Sequence, residues 1–192
     1  MDINNIEKYF WQGEKIRVRP VTIEDWEPLY NDSMDSEGVR YLNLGINLPI
    51  SKEIAKQTAN ELVNSLKNID HTTFGIEIFS GELVGVIAMH KKDFKNGTFG
   101  VGIKIFKPYR QKGYGEDALR IILRYGFYEL RFQKCNMSCI DTNGGSIRLQ
   151  KKVGFVEEGR QRRMIYTNGK YYDYLLFGLM REEFERNDVR NI

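Results

Sequence analysis

The sequence predicts an α/β protein: a mixed, mostly antiparallel sheet flanked by helices, with a central parallel strand–helix–strand unit. Three observations carry that expectation. Apolar residues alternate along KIRVRP (15–20), TFGIEIF (73–79), LVGVIAMH (83–90) and FGVGIKIF (99–106), which is the period-2 pattern of strands. Asn96-Gly97 and Asn168-Gly169 are hairpin dipeptides that turn such strands back. GEDALRIILRYGFYEL (115–130) reads as a helix between strand 99–106 and the run KCNMSCI (134–140). A helical crossover returns the chain in the same direction.

The elements follow in order. KIRVRP is the first strand. Thr22-Ile23-Glu24-Asp25 resembles a capping box and opens a helix through Trp26 and Leu29. Residues 31–50 are rich in turn formers and read as a long loop with short helical pieces, a kind of segment that often carries function. Ser51 caps the next helix, over 51–68, with Ile54, Thr58, Leu62 and Leu66 as its inner face. Three strands then form a meander, turned at Ser80-Gly81 and Asn96-Gly97. After the crossover helix and strand 134–140, SIRLQKKV (146–153) is a short helix, and FVEEGRQRRMIY and KYYDYLLFGLM are two strands joined at Asn168-Gly169. The apolar run YLLFGLM could pair with a partner chain, so monomer and homodimer both stay open. The charged tail REEFERNDVRNI reads as a helix that frays.

A chain of 192 residues, 41% hydrophobic and 29% charged, fits one domain over 1–192 with a core that needs no disulfides. A net charge of +3 gives no broad nucleic-acid surface. No apolar run reaches the ~18 residues of a membrane span. The start MDINNIEKYF lacks a signal pattern, so the expected location is cytoplasmic. Cys135 and Cys139 share a strand face but lie too far apart to bridge. Only His71 and His90 could join them in a metal site. No metal is expected, and both histidines read as structural.

The junction PYRQKGYGEDAL (108–119) carries the chemistry. Gly113 and Gly115 let the backbone approach a ligand closely, and they open a helix whose first amides and dipole attract anions. The same residues also read as a plain glycine-rich turn with Arg110 and Lys112 facing water. A P-loop is excluded, because no Lys-Ser/Thr pair follows. Gly113 to Ala118 spells the G-x-G-x-x-A of dinucleotide folds, with Asp141 standing downstream, but six residues, one of them a proline, separate the glycine from its strand.

Arg110-Gln111-Lys112-Gly113-Tyr114-Gly115 resembles the R/Q-x-x-G-x-G/A motif of GNAT-family N-acetyltransferases. The strand end Ile105 to Arg110, the N-x-x-S segment Asn143 to Ser146 and the K-x-G-F segment Lys152 to Phe155 resemble that family too, over about residues 14–183. The N-x-x-S form is similar to that of the RimJ/RimL-like branch. The resemblance implies a GNAT-like acyl-CoA N-acyltransferase fold that uses acetyl-CoA. It would transfer acetyl to a primary amine, either a protein N-terminal α-amine or a small amine such as a polyamine. A silent acetyl-CoA sensor and an antibiotic-modifying enzyme are the alternatives.

By that resemblance, the pantetheine arm lies along Ile103-Lys104-Ile105 and the pyrophosphate sits on the amides of Gln111, Lys112, Gly113, Tyr114, Gly115 and Glu116. Arg110 and Lys112 add charge, and Lys151 or Lys152 reaches the 3′-phosphate. Asn143 orients the cofactor and Ser146 protonates the leaving thiolate. On their own chemistry, Asn143 also reads as a turn residue and Ser146 as a helix cap. Many family members carry a tyrosine acid where this chain has Gln150, which leaves Ser146, Tyr172 or solvent for the task. Glu77 is a candidate base, and it also reads as a solvent-facing strand residue. Asp32, Asp35 and Glu37 could attract a cationic amine.

Overall fold

The structure, a computed structural model, describes residues 9–68 and 70–188. Among them seven strands form one sheet: β1 (Ile16–Pro20), β2 (His71–Ile78), β3 (Leu83–Asp93), β4 (Thr98–Ile105), β5 (Lys134–Ile140), β6 (Val156–Thr167) and β7 (Lys170–Met180). Their order across the sheet is β1-β2-β3-β4-β5-β7-β6. Every neighbouring pair is antiparallel except β4 with β5. The helices are α1 (Trp26–Ser33), α2 (Ser36–Asn43), α3 (Lys52–Ser65), α4 (Tyr114–Arg124), α5 (Gly144–Val153) and α6 (Arg181–Asn187). This is the mixed, mostly antiparallel architecture that the patterning predicts. Residues 1–8, on which the signal-pattern reading largely rests, and residues 189–192, where the tail is expected to fray, lie outside the described residues, while the helical part of that tail is α6.

The turn chemistry explains the hairpins. Asn168 and Gly169 take φ of 52° and 73° between the paired Thr167 and Lys170. Two positive φ values match the right-handed twist of the flanking strands. At Gly97 (φ 68°) the β3–β4 hairpin turns as expected, but its register slips between His90 and Asp93, and Lys91 there has φ 49°. This β-bulge sets His90 opposite Gly100.

Four expectations need correction. The segment 31–50 is mostly helical, and α2 fills its middle. The inner face of α3 is Ala55 and Ala59, whereas Ile54 and Leu66 are exposed; small side chains let the helix lie close to its neighbours. The crossover helix ends at Arg124 and closes in a π turn over Tyr125–Glu129. Gly126 lets the Phe99 ring pack against this turn, because a Cβ there would stand 2.5 Å from Phe99 Cζ. Finally, β7 is internal, between β5 and β6, so its apolar run is spent within the sheet and cannot pair with a partner chain.

The core lies between the sheet and α4, whose Leu119, Ile122 and Leu123 are fully buried. Phe99 stacks on Phe132 with centroids 5.1 Å apart and meets Phe127 edge-on at 5.6 Å. A single carboxylate ties α4 to the first strand. Asp117 Oδ2 accepts the amides of Lys15 at 2.7 Å and Ile16 at 3.3 Å. Asp117→Ala should therefore cost about 3 kcal/mol, since it strips two amides of a charged acceptor. For a chain of this size that lowers Tm by roughly 6–12 °C in thermal unfolding.

Candidate active site

The sheet opens at its parallel pair. β4 and β5 pair only at Thr98↔Lys134, Phe99↔Cys135 and Gly100↔Asn136. Beyond that, β4 stays with β3 as far as Ile105↔Gly85, and β5 stays with β7 as far as Ile140↔Tyr174. The two strands part into a V that holds a cleft of about 1490 Å³. The β4 backbone from Val101 to Ile105 forms one wall, with Ser138, Cys139, Asn143 and Ser146 on the other side.

The glycine-rich junction closes one end. A 3-10 turn at Lys107–Tyr109 separates β4 from the loop. Gln111 and Gly113 then take φ of 63° and 87°, and Gly113 is the N-cap of α4. Gly115 brings the helix onto the strand, because a Cβ there would already touch Ile105 Cγ1 at 3.4 Å and Ile103 Cδ1 at 3.7 Å. Gln111, Gly113, Tyr114, Gly115 and Glu116 all line the cleft. The Lys15 ammonium donates to the Lys112 carbonyl at 3.2 Å, which adds a cation that sequence reasoning missed.

The expected basic residues have other partners. Arg110 donates from Nε to the Ile105 carbonyl at 3.1 Å and pairs with the Asp35 carboxylate, which fastens the start of α2 to the end of β4. Burial alone would push the Asp35 carboxyl up, but the Gly38 amide and Arg110 outweigh it and hold it below its usual range. Lys152 Nζ lies 2.6 Å from Glu116 Oε2. Burial likewise works against the Glu116 carboxylate, and Lys152 and Arg120 bring it below its usual range. Lys112 Nζ lies 5.4 Å from the centre of the Tyr109 ring.

On the other wall, Asn143 is the N-cap of α5 and accepts the Ser146 amide at 3.0 Å. The cap is Asn143, and Ser146 is the third helical residue. Gln150 is fully buried. It donates from Nε2 to Ser146 Oγ at 2.8 Å and to Cys139 Sγ at 3.6 Å. Its Oε1 has no hydrogen-bond partner among the described residues. Because Oγ accepts from the Gln150 amide, the Ser146 hydrogen is left for an acceptor, and the Cys139 sulfur is one such neighbour. Burial pushes the Cys139 thiol up. Tyr172 lines a separate cavity of about 300 Å³, beside Glu37, Arg40 and Asn168.

Glu77 is not at the cleft. The regular β1–β2 register puts it on the face of Arg17 and Arg19, and Arg19 Nε lies 2.5 Å from Glu77 Oε2. Away from the cleft and engaged by that guanidinium, Glu77 is set aside. The side of β4 that carries Lys104 holds two groups that the sequence did not single out. Lys104 Nζ is buried 2.5 Å from Asp32 Oδ2, and burial pushes the Asp32 carboxyl up even against that ammonium. His90 is half-buried and lines the cleft over Gly100. A Cβ on Gly100 would clash with its ring. Among the described residues no group of three His, Cys, Asp or Glu is placed to hold a metal, and no helix is long and apolar enough to cross a membrane.

A sheet parted beside a glycine-turned helix N-terminus is the frame of an acyl-group transferase. The chain belongs to the GNAT acetyltransferase family: residues 15–156 match the acetyltransferase (GNAT) domain. It is thus an N-acetyltransferase by family. It is 36% identical over 178 residues to the SPbeta prophage-derived uncharacterized N-acetyltransferase YokL of Bacillus subtilis, covering 93% of this chain and 97% of that one. YdaF of the same organism, whose name provisionally assigns it ribosomal N-acetylation, is 32% identical over 58% of this chain and 62% of its own. The crystal structure of spermidine N-acetyltransferase from Vibrio cholerae, in complex with CoA and spermine, superposes with a TM-score of 0.76 at 19% identity, covering 88% of this chain and 98% of that one.

Lys104→Ala tests the buried pair. Removing one partner leaves Asp32 as an uncompensated buried charge, at a cost of about 3–5 kcal/mol. Urea unfolding should show that loss at pH 7, and it should shrink in acid as Asp32 protonates.

Proposed function

We propose that this chain, as one acetyltransferase domain, moves an acetyl group from acetyl-CoA to a primary amine in the cytoplasm. The observation that carries the reading is the single cleft that joins the parted β4 edge to the amides at the start of α4. An extended pantetheine arm, itself an amide chain, can add beside Ile103 and Ile105 as a strand would. Its pyrophosphate then meets the amides from Gln111 to Glu116 and the dipole of α4, with Lys112 and Lys15 nearby. Lys152 can leave Glu116 for the 3′-phosphate.

In this reading the amine nitrogen attacks the thioester carbonyl, and a free β4 amide faces the developing oxyanion. The C–N bond forms, the C–S bond breaks, and the thiolate takes the Ser146 hydrogen that Gln150 leaves available. Holding both reactants in line is worth about 7–11 kcal/mol of the barrier. Because a thiol has a pKa of ~8.5, its thiolate leaves readily and a strong acid is not required. The acceptor we favour is a protein N-terminal α-amine, as in the RimJ/RimL-like branch, on the N-x-x-S segment and the likeness to YdaF. A small amine such as a polyamine is the second candidate, on the likeness to the spermine-bound structure.

Calorimetric titration with acetyl-CoA and with NADH tests the cofactor. Acetyl-CoA should bind and NADH should not, and Gly113→Glu should weaken acetyl-CoA by about 100-fold, near 2.7 kcal/mol. Binding of NADH alone would overturn the reading. Ser146→Ala should keep acetyl-CoA affinity and lower kcat by about 100-fold in a thiol-release assay. An unchanged kcat would remove Ser146 from the proton path.

A further inference from the structure

We propose that His90 is the general base of the transfer, the group that takes the proton from the incoming amine. The assignment rests on the acetyl-CoA reading above and adds the half of the chemistry that the thiolate side leaves open. Its first support is position. The β3 bulge sets His90 opposite Gly100, the last β4 residue paired with β5. The ring therefore stands where the V begins. Its Nε2 lies 3.7 Å from the place a Gly102 Cβ would occupy. Gly100 is what lets the imidazole pack against this strand, because a Cβ there would stand 2.4 Å from its Cε1.

The second support is that the acidic residues around the cleft are engaged. Asp32 pairs with Lys104, Asp35 with Arg110, Glu116 with Lys152 and Glu158 with Lys134, and Glu77, away from the cleft, pairs with Arg19. Asp93 accepts from Asn96. Glu37 is mostly exposed, 3.9 Å from Arg110. The groups facing His90 are the stacked His71 ring on β2, with centroids 6.1 Å apart, the adjacent Lys91, and Lys92, whose Nζ donates to Thr72. Lys104 on β4 is tied to Asp32. Burial first, then His71 and Lys91, hold the imidazole below its ordinary value. It is therefore neutral, and able to accept a proton, at neutral pH.

The step balances. As the nitrogen bonds the carbonyl carbon, its proton passes to His90, directly or through one water. The thiolate departs with the Ser146 hydrogen, Ser146 takes a replacement proton from solvent water, and the imidazolium returns its proton to solvent, so that His90 and Ser146 both end as they began. A weak base of this kind is matched to a weakly basic amine. Peptide α-amines titrate near ~7.7–8.0 and lysine-type amines near ~10.4. The Lys91 and Lys92 rim also disfavours polycations.

The test compares wild type, His90→Asn and His90→Ala with acetyl-CoA and short peptides that carry a free α-amine. Acetyl-CoA affinity is read by calorimetry and kcat/KM across pH 5–9. Both variants should bind acetyl-CoA like wild type and lose about 100- to 1000-fold in kcat/KM. The acid-side fall of log kcat/KM, which in wild type reflects protonation of both His90 and the amine, should become shallower in His90→Asn, where only the amine still titrates, and added imidazole should restore part of the rate to His90→Ala. Wild-type kcat/KM in His90→Asn overturns the assignment, and so does a slow variant whose acid-side fall is as steep as that of wild type. Wild type that binds no acetyl-CoA overturns the transferase reading, and the assignment falls with it.

Discussion

The site depends on where β4 stops pairing with β5. A parallel pair at the centre of a sheet normally runs the length of both strands. Here it ends after Gly100↔Asn136, because each strand is held by its other neighbour. The β3–β4 ladder and the β5–β7 ladder are both long, and their twists carry β4 and β5 apart. The parting leaves amides and carbonyls on the β4 edge without a ladder partner. Such groups are costly to bury unpaired, at about 1–3 kcal/mol each, so water or a ligand must satisfy them. A ligand with an extended amide backbone is complementary to that need, and the need is built before any side chain is considered.

Charge is arranged around the V in pairs rather than as a field. Arg110 and Lys104, both near the end of β4, turn to Asp35 and Asp32 at α1 and α2. These contacts fix α2 along the lip of the cleft, where Glu37, Tyr41 and Leu42 can meet an acceptor. They also use up cations that a simple tally would assign to phosphate. What remains for an anion is mostly backbone, which the left-handed turn at Gln111 and Gly113 aims at one spot.

The strands, hairpins and crossover helix were legible because each rests on local rules: alternation, Asn-Gly turns and one capped apolar helix. The glycine junction was legible for the same reason. α2 was not, since its turn-forming residues hide a helix that is held by tertiary ion pairs. The inner face of α3 was misplaced because Ala55 and Ala59 carry little hydrophobic signal yet allow close packing. The position of β7 is a matter of sheet order, which no local pattern encodes. His90 read as structural because only two histidines are present and neither shares a motif with another reactive group, and its place opposite Gly100 depends on a bulge that no local pattern encodes. Lys104 read as the polar phase of an alternating strand, and only the fold shows it buried against Asp32.

Asp117 also bears on how the chain is made. β1 is an edge strand, and the carboxylate that anchors it follows 101 residues after Ile16. During synthesis the first strand leaves the ribosome long before its anchor exists, at about 5–20 residues per second. For several seconds only the β2 register holds it. Such long-range closure slows folding, and it makes α4 the element whose arrival locks the start of the chain. Truncated products that end before residue 117 therefore carry an unclamped strand, with an exposed edge of the kind quality-control proteases recognise.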